Sequence, residues 1–250
     1  MSPSSPPPRI LHVNGHPGGE PQAFLAQVTR EMLQAGIGQT VLHPAPGPAQ
    51  AAVHPSLPAG VQVLELQQAG PGPLAFARHL PAALREELDR TPYTAVHFHG
   101  PLVGLVGGIA LVSTAPRIGV PVYYSPHTPL SASPLLQRLA CAVACKPVAS
   151  GHAEARDIQR RMRCEAFTLY PAVDGEFFRV EPQQDAEPLV VAMGHGRRDS
   201  GDSWFGDLAA RFQFAGEAVR FAWIGGCEPN VQERLEAAGV QMAGWLPDAE

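Results

Sequence analysis

The stretch Ala95-Val96-His97-Phe98-His99-Gly100-Pro101-Leu102-Val103-Gly104-Leu105 decides the fold. Ala95 to His99 is short, mostly apolar and closed by a glycine, so it reads as a strand, and a Gly-containing helix follows from about Leu102. Side chains two apart on a strand share a sheet face. His97 and His99 therefore point the same way near the strand's C-terminal end, where open α/β sheets bind their ligands. His127 follows the next strand, in Ser125-Pro126-His127-Thr128. Three histidines at adjacent strand ends suit zinc in principle. No carboxylate or cysteine joins them in sequence, however, which weighs toward polar sugar contacts or plain hydrogen-bonded histidines and against a metal site.

The alternation continues on both sides of this stretch. Upstream, Ile10 to Asn14 is a strand that ends in Gly15-His16-Pro17-Gly18-Gly19, and a helix with Phe24, Leu25, Val28 and Met32 on one face follows it. Gly36 closes that helix, Thr40 to Leu42 and Val61 to Leu66 read as strands around a loop over 44–60, and Pro73 to Asp89 is helical. Downstream come a strand Val120 to Tyr124, a helix Leu135 to Ala144, a short strand Pro147 to Ala149, a polar helix Ala153 to Met162 and a strand Phe167 to Leu169. Such repetition predicts an α/β domain with a parallel sheet covered on both faces.

A second βαβ series opens at Leu189-Val190-Val191-Ala192-Met193-Gly194 and runs through a helix Trp204 to Phe212, a strand Val219 to Ile224, a helix Val231 to Ala238 and a strand Val240 to Ala243. The expected organisation is a disordered tail over 1–8, an N-terminal Rossmann-like domain over 9–179, a linker over 180–188, and a partial second Rossmann-like domain over 189–250. Some 60 residues are fewer than an independent domain of this class uses, so the second domain is expected to be cut short.

Bulk properties narrow the function classes. In 250 residues the net charge is −5, and the 18 Lys and Arg form no single run, which argues against a nucleic-acid partner. The four cysteines contain no C-x-x-C pair and suit a reducing cytosol. The segment MSPSSPPPR lacks the apolar region of a secretory signal, and Leu102 to Val112 is too short and glycine-rich to span a bilayer. Any membrane contact is expected to be peripheral, at the inner face. Oligomeric state is not legible.

The loop after the first strand carries candidate binding chemistry. Gly15, Gly18 and Gly19 lie between a strand and a helix, where backbone can approach a ligand and helix N–H groups can meet an anion. Because the spacing is not G-x-G-x-x-G, a phosphate or sugar site and a ligand-free tight turn remain equal readings.

The order of these segments resembles the family-4 glycosyltransferases. Val96 to Leu105, Gly119 to His127, and Tyr170-Pro171-Ala172-Val173-Asp174-Gly175-Glu176-Phe177-Phe178 are similar to that family's N-terminal domain and its turn into the interdomain linker. Val191 to Gly194, Arg220 to Gly226, Ala238 to Val240 and Gly244 to Leu246 resemble the first three strands of its nucleotide-binding domain. The resemblance implies the GT-B fold. It also implies transfer of a sugar, with retention, from a nucleotide-diphosphate sugar to a glycan or lipid-linked acceptor, without metal or other cofactor.

Matching the family's motifs residue by residue, Gly18 and Gly19 take the place of its glycine-rich loop, and His127 that of the histidine contacting the transferred sugar. His99 joins them as a binding candidate. The family's Arg and Lys that neutralise the diphosphate fall on His195 and Ser200, and Arg197 and Arg198 between them are candidate replacements. The alternative for those arginines is a solvated loop. The family's paired glutamates are expected beyond Glu250. This departure keeps a second reading open, a non-catalytic GT-B-like binding module with a degenerate donor site. A sugar-nucleotide epimerase is a third.

Other features carry structural expectations. Cys141 and Cys145 read as buried small residues on an apolar helix, and Trp204, Phe205 and Phe212 as the core face of theirs. Arg156, Arg160, Arg161 and Arg163 read as a solvated basic face, with an anionic-acceptor or lipid patch as the alternative.

Overall fold

A computed structural model describes residues 7–15, 19–45, 57–66, 73–114, 119–127, 133–143, 146–171, 187–194, 201–244 and 246. The chain divides into two compact units, Met1–Asp174 and Gly175–Glu250. The first alternates β1 (Arg9–Asn14), α1 (Gly19–Gln34), β2 (Gly38–Pro44), β3 (Gln62–Leu66), α2 (Pro73–Arg90), β4 (Ala95–His99), α3 (Pro101–Thr114), β5 (Val122–Ser125), α4 (Pro134–Val143), β6 (Lys146–Ala149), α5 (His152–Met162) and β7 (Phe167–Thr168). Its described strands form a parallel sheet in the order β3-β2-β1-β4-β5-β6-β7, as the alternation predicted. From β1 the chain builds β2 and β3 to one side and then returns to set β4 against the other edge of β1. The order reverses there, which opens a crevice at the strands' C-terminal ends.

The two faces of this sheet differ in chemistry because the strands alternate. Leu11 and Val13 of β1, Val96 and Phe98 of β4, and Tyr124 of β5 pack with Phe76, Leu80 and Leu84 of α2, Val103 and Leu111 of α3, and Ala140 and Cys141 of α4. Each fully buried side chain of that size stabilises the fold by roughly 1.5–3 kcal/mol, so most of the unit's cohesion lies on this face. Helix α3 approaches closely because it presents glycines. A Cβ on Gly104 would lie 2.7 Å from the Tyr124 ring, and one on Gly107 would overlap the ring of Phe98. The opposite face, at the same positions plus one, carries His12, Asn14, His97 and His99, all buried.

The second unit contains β8 (Leu189–Met193), α6 (Asp202–Phe214), β9 (Arg220–Ile224), α7 (Pro229–Ala237) and β10 (Val240–Gly244), with a parallel sheet β10-β9-β8. Phe205, Ala209, Phe221, Trp223, Val231, Leu235 and Val240 form its core. Phe205 is buried and Phe212 packs partly against that core, as expected, but Trp204 is 69% exposed, and its assignment to the core face is corrected. Phe205, Ala209 and Phe212 recur at helical spacing, and one residue back rotates Trp204 about 100° off their stripe. The buried Asp202 of the first turn of α6 pairs with Arg234 of α7.

On α5 the basic cluster is partly neutralised within its own helix, since Arg160 and Arg161 reach Asp157 at 2.5 and 3.9 Å. Arg163 closes the helix in the left-handed conformation, φ 57°. Cys141 is buried beside Cys164, and burial followed by that neighbour pushes its thiol up to about 12. Cys145 lies outside the described residues. No helix among the described residues is long and apolar enough to cross a membrane.

Candidate active site

Parallel register brings the polar face together at the strand-order reversal. His12 is the direct partner of His97, and Asn14 of His99, across β1 and β4; His97 and His99 in turn face Tyr123 and Ser125 of β5. The rings of His97 and His99 sit 4.1 Å apart, and His12 lies 5.5 and 5.3 Å from them. From above, Phe24 of α1 closes over His99 and His127 at 5.9 and 5.1 Å between ring centroids. Gln22, two residues earlier, accepts a 3.4 Å hydrogen bond from Asn14.

His127 sits two residues beyond β5 with a φ of 52°, one of two described non-glycine residues at positive φ. Left-handed backbone is costly for a side-chain-bearing residue, though least so for residues such as His and Asn. Here it turns the ring back over the sheet edge, where His127 Nε2 lies 2.9 Å from His99 Nδ1. The same edge is drawn tight by Gly100, at φ 100°, whose N–H donates to the Ser125 carbonyl at 2.9 Å.

Behind His127 the hydrogen bonds continue into the interior. His99 Nε2 lies 3.1 Å from His12 Nδ1, and His12 Nε2 lies 2.9 Å from Gln39 Oε1. His97 takes a separate partner, the Ser125 hydroxyl, at 2.8 Å. Burial pushes His12 down to about 4 despite the opposing Gln39 hydrogen bond, and burial pushes His127 down to about 4. His97 and His99 are held well below the ordinary histidine value by burial first and by neighbouring imidazoles second. All four rings are therefore neutral at physiological pH. They act through lone pairs and N–H groups, not charge.

Ring nitrogens of His12, His97 and His99 lie within 4.8 Å of one another, a spacing that a divalent ion preferring imidazole can bridge. Yet His12 spends both nitrogens on Gln39 and His99, and His99 both on His12 and His127. In this arrangement the cluster is a hydrogen-bonded chain, and an ion would have to break it.

Of the residues singled out in the sequence, His99 and His127 come together, and Gly19 opens α1. Gly18, His195, Arg197, Arg198 and Ser200 lie outside the described residues. His12 and Gln39 were missed. The signal available was His12 itself, a histidine at every-second-residue spacing with Asn14 inside an otherwise apolar strand. A separate groove of about 420 Å³ between α5 and β7 is lined by His152, Arg156, Gln159 and Thr168.

A family model described as Glycosyltransferase Family 4 matches residues 22–177, more than half the chain. No curated protein matches it in sequence. Among solved structures, a glycosyltransferase from Rickettsia africae aligns over 97% of this chain and 69% of its own, with a TM-score of 0.67 and 12% identity. HepE from Anabaena, solved with UDP and glucose, aligns over 95% of this chain and 69% of its own, with a TM-score of 0.57 and 20% identity. A UDP-GlcNAc 2-epimerase from Neisseria meningitidis, bound to UDP-GlcNAc, aligns over 95% and 72%, with a TM-score of 0.64 and 13% identity. At these identities the likeness is one of fold.

Proposed function

Because the chain belongs to glycosyltransferase family 4, we propose that it moves a sugar from a nucleotide-diphosphate sugar to a glycan or lipid-linked acceptor, with retention at the anomeric carbon. Its fold is the GT-B fold of such enzymes. The observation that carries the reading is His127, a neutral imidazole held in left-handed backbone at the strand-order reversal by His99. Such a ring is suited to position a sugar hydroxyl, and position is what an electrostatically assisted transfer needs from it. His99 then serves the ligand through His127, since both its own nitrogens are engaged. UDP and UDP-GlcNAc in structures of the same fold support a nucleotide-sugar donor. The expected chemistry needs no metal or other cofactor. Free thiols at Cys141 and Cys164 support a cytoplasmic setting, with the acceptor met there or at the inner membrane face.

His195 and Ser200, in place of the family's Arg and Lys, favour a second reading, a GT-B-like module that binds without turnover. Calorimetric titration of the full-length protein with UDP, GDP and ADP separates the two. Binding of one nucleotide that Arg197→Ala or Arg198→Ala weakens at least tenfold supports the donor site. Unchanged affinity in both variants removes these arginines from it, and no binding of any nucleotide favours the second reading.

A further inference from the structure

The hydrogen-bonded chain behind His127 has a direction, and its innermost member sets it. Gln39 Nε2 donates to the Ile37 carbonyl at 3.1 Å, so the atom that Gln39 turns toward His12 is its oxygen Oε1. A carbonyl oxygen only accepts. His12 must therefore carry its proton on Nε2. A neutral imidazole holds one ring proton, so His12 Nδ1 is bare and can only accept from His99 Nε2, 3.1 Å away. The same step repeats once more. His99 is protonated on Nε2 and bare on Nδ1, and it accepts from His127 Nε2 at 2.9 Å.

We propose that Gln39, His12 and His99 are positioning residues that fix the tautomer of His127. They hold its proton on Nε2 and leave Nδ1 as a lone pair facing away from the relay. The consequence for recognition is specific. His127 then accepts a hydrogen bond from a ligand hydroxyl and cannot donate one to a ligand carbonyl or phosphate oxygen through that nitrogen. That hydroxyl is a sugar hydroxyl on the glycosyltransferase reading above, whereas the tautomer itself does not depend on that reading.

Several features make the relay more than a row of buried rings. Among the described residues, the rings of His12 and His99 have no other hydrogen-bonding partner, so each bond in the chain constrains the next. His97 stands beside the chain yet cannot set its direction, because its partner, the Ser125 hydroxyl, both donates and accepts. The depressed basicity of His12 and His127 keeps the chain in its one-proton-per-ring form at neutral pH. Charging His12 or His99 would turn a shared lone pair into a second N–H and break a link, and charging His127 would remove the lone pair it turns away from the relay.

Two-bond proton–nitrogen correlation spectra of the ¹⁵N-histidine-labelled protein at neutral pH read the tautomer of each ring without substrate. Peaks are assigned by single His→Asn variants. The expected result is one pattern for His12, His99 and His127, with Nδ1 the unprotonated nitrogen in all three. In Gln39→Met, which removes the terminal acceptor, His127 is expected to lose its single tautomer and to show a second population protonated on Nδ1. The wild-type spectrum is decisive even if that variant does not fold. A proton on Nδ1 of His99 or His127 in the wild type overturns the relay. So does a His127 pattern unchanged in a folded Gln39→Met, or stoichiometric zinc in the purified protein that chelation removes with a change in the histidine peaks. Absence of glycosyltransferase activity in a wild type that shows these tautomers would overturn the functional reading and leave the relay standing.

Discussion

His12 of β1 stands directly opposite His97 of β4, and both rings are buried where the strand order of the sheet reverses. Both are kept neutral there, which ties the integrity of the site to pH.

The unfolded chain binds protons at these histidines near pH 6.5, but the folded chain binds them at His12 and His127 only near 4. Between those values the unfolded state holds more protons, so stability must fall as pH falls. His12 alone accounts for a loss on the order of 3 kcal/mol across that window. Urea unfolding from pH 7 to pH 4 is expected to show this loss, and His12→Gln to make the profile shallower. A wild-type stability flat across the window would contradict the burial of these rings in neutral form.

A buried carboxylate on α2 makes a second pH-sensitive element. Glu87 accepts a 2.6 Å hydrogen bond from the Tyr93 hydroxyl and pairs with Arg90. Burial opposes its charge, but these donors win, and its carboxyl is held below the usual value, while burial and Glu87 push Tyr93 up to about 12. Its contribution is present above the unfolded carboxylate value and lost on acidification through the folded one. Tyr93→Phe is expected to cost about 1–3 kcal/mol at neutral pH and less below the folded value of Glu87.

Close packing of α3 on the sheet predicts an asymmetry between glycines. Gly107→Ala puts a methyl group into the Phe98 ring and should destabilise by about 1–3 kcal/mol despite the better helix former. Gly206→Ala in α6, where the nearest atom is Leu235 Cδ2 at 3.4 Å, should be neutral or slightly stabilising. Thermal melts of the two variants check this directly.

In the second unit, Phe205→Ala should cost about 3–5 kcal/mol, whereas Trp204→Ala should change stability by less than about 0.5 kcal/mol. Equal effects would mean that Trp204 is covered.

The alternation that names the fold was written plainly in Ile10 to Asn14 and Ala95 to His99, strands buried in the middle of a parallel sheet, and in the apolar run Leu189 to Gly194, whose strand is half exposed in the structure. His97 and His99 announced a shared face by their spacing. His12 and Gln39 did not announce their part, because a relay depends on lateral register, His12 against His97 and Ile10 against Gln39, and it joins side chains 27 and 87 residues apart in the chain. Trp204 was misplaced for a simpler reason. A helix stripe is decided by one residue of rotation, and two adjacent aromatics cannot both hold it.

If His127 positions a sugar for transfer, removing its ring must slow turnover. The most direct measurement is release of nucleoside diphosphate from a panel of UDP-, GDP- and ADP-sugars by the full-length protein, compared with His127→Ala. Turnover of one donor class is expected, with a loss on the order of 10²-fold or more in the variant and folding unchanged by circular dichroism. Equal turnover in the two proteins, or no turnover of any donor by the wild type, would contradict that role.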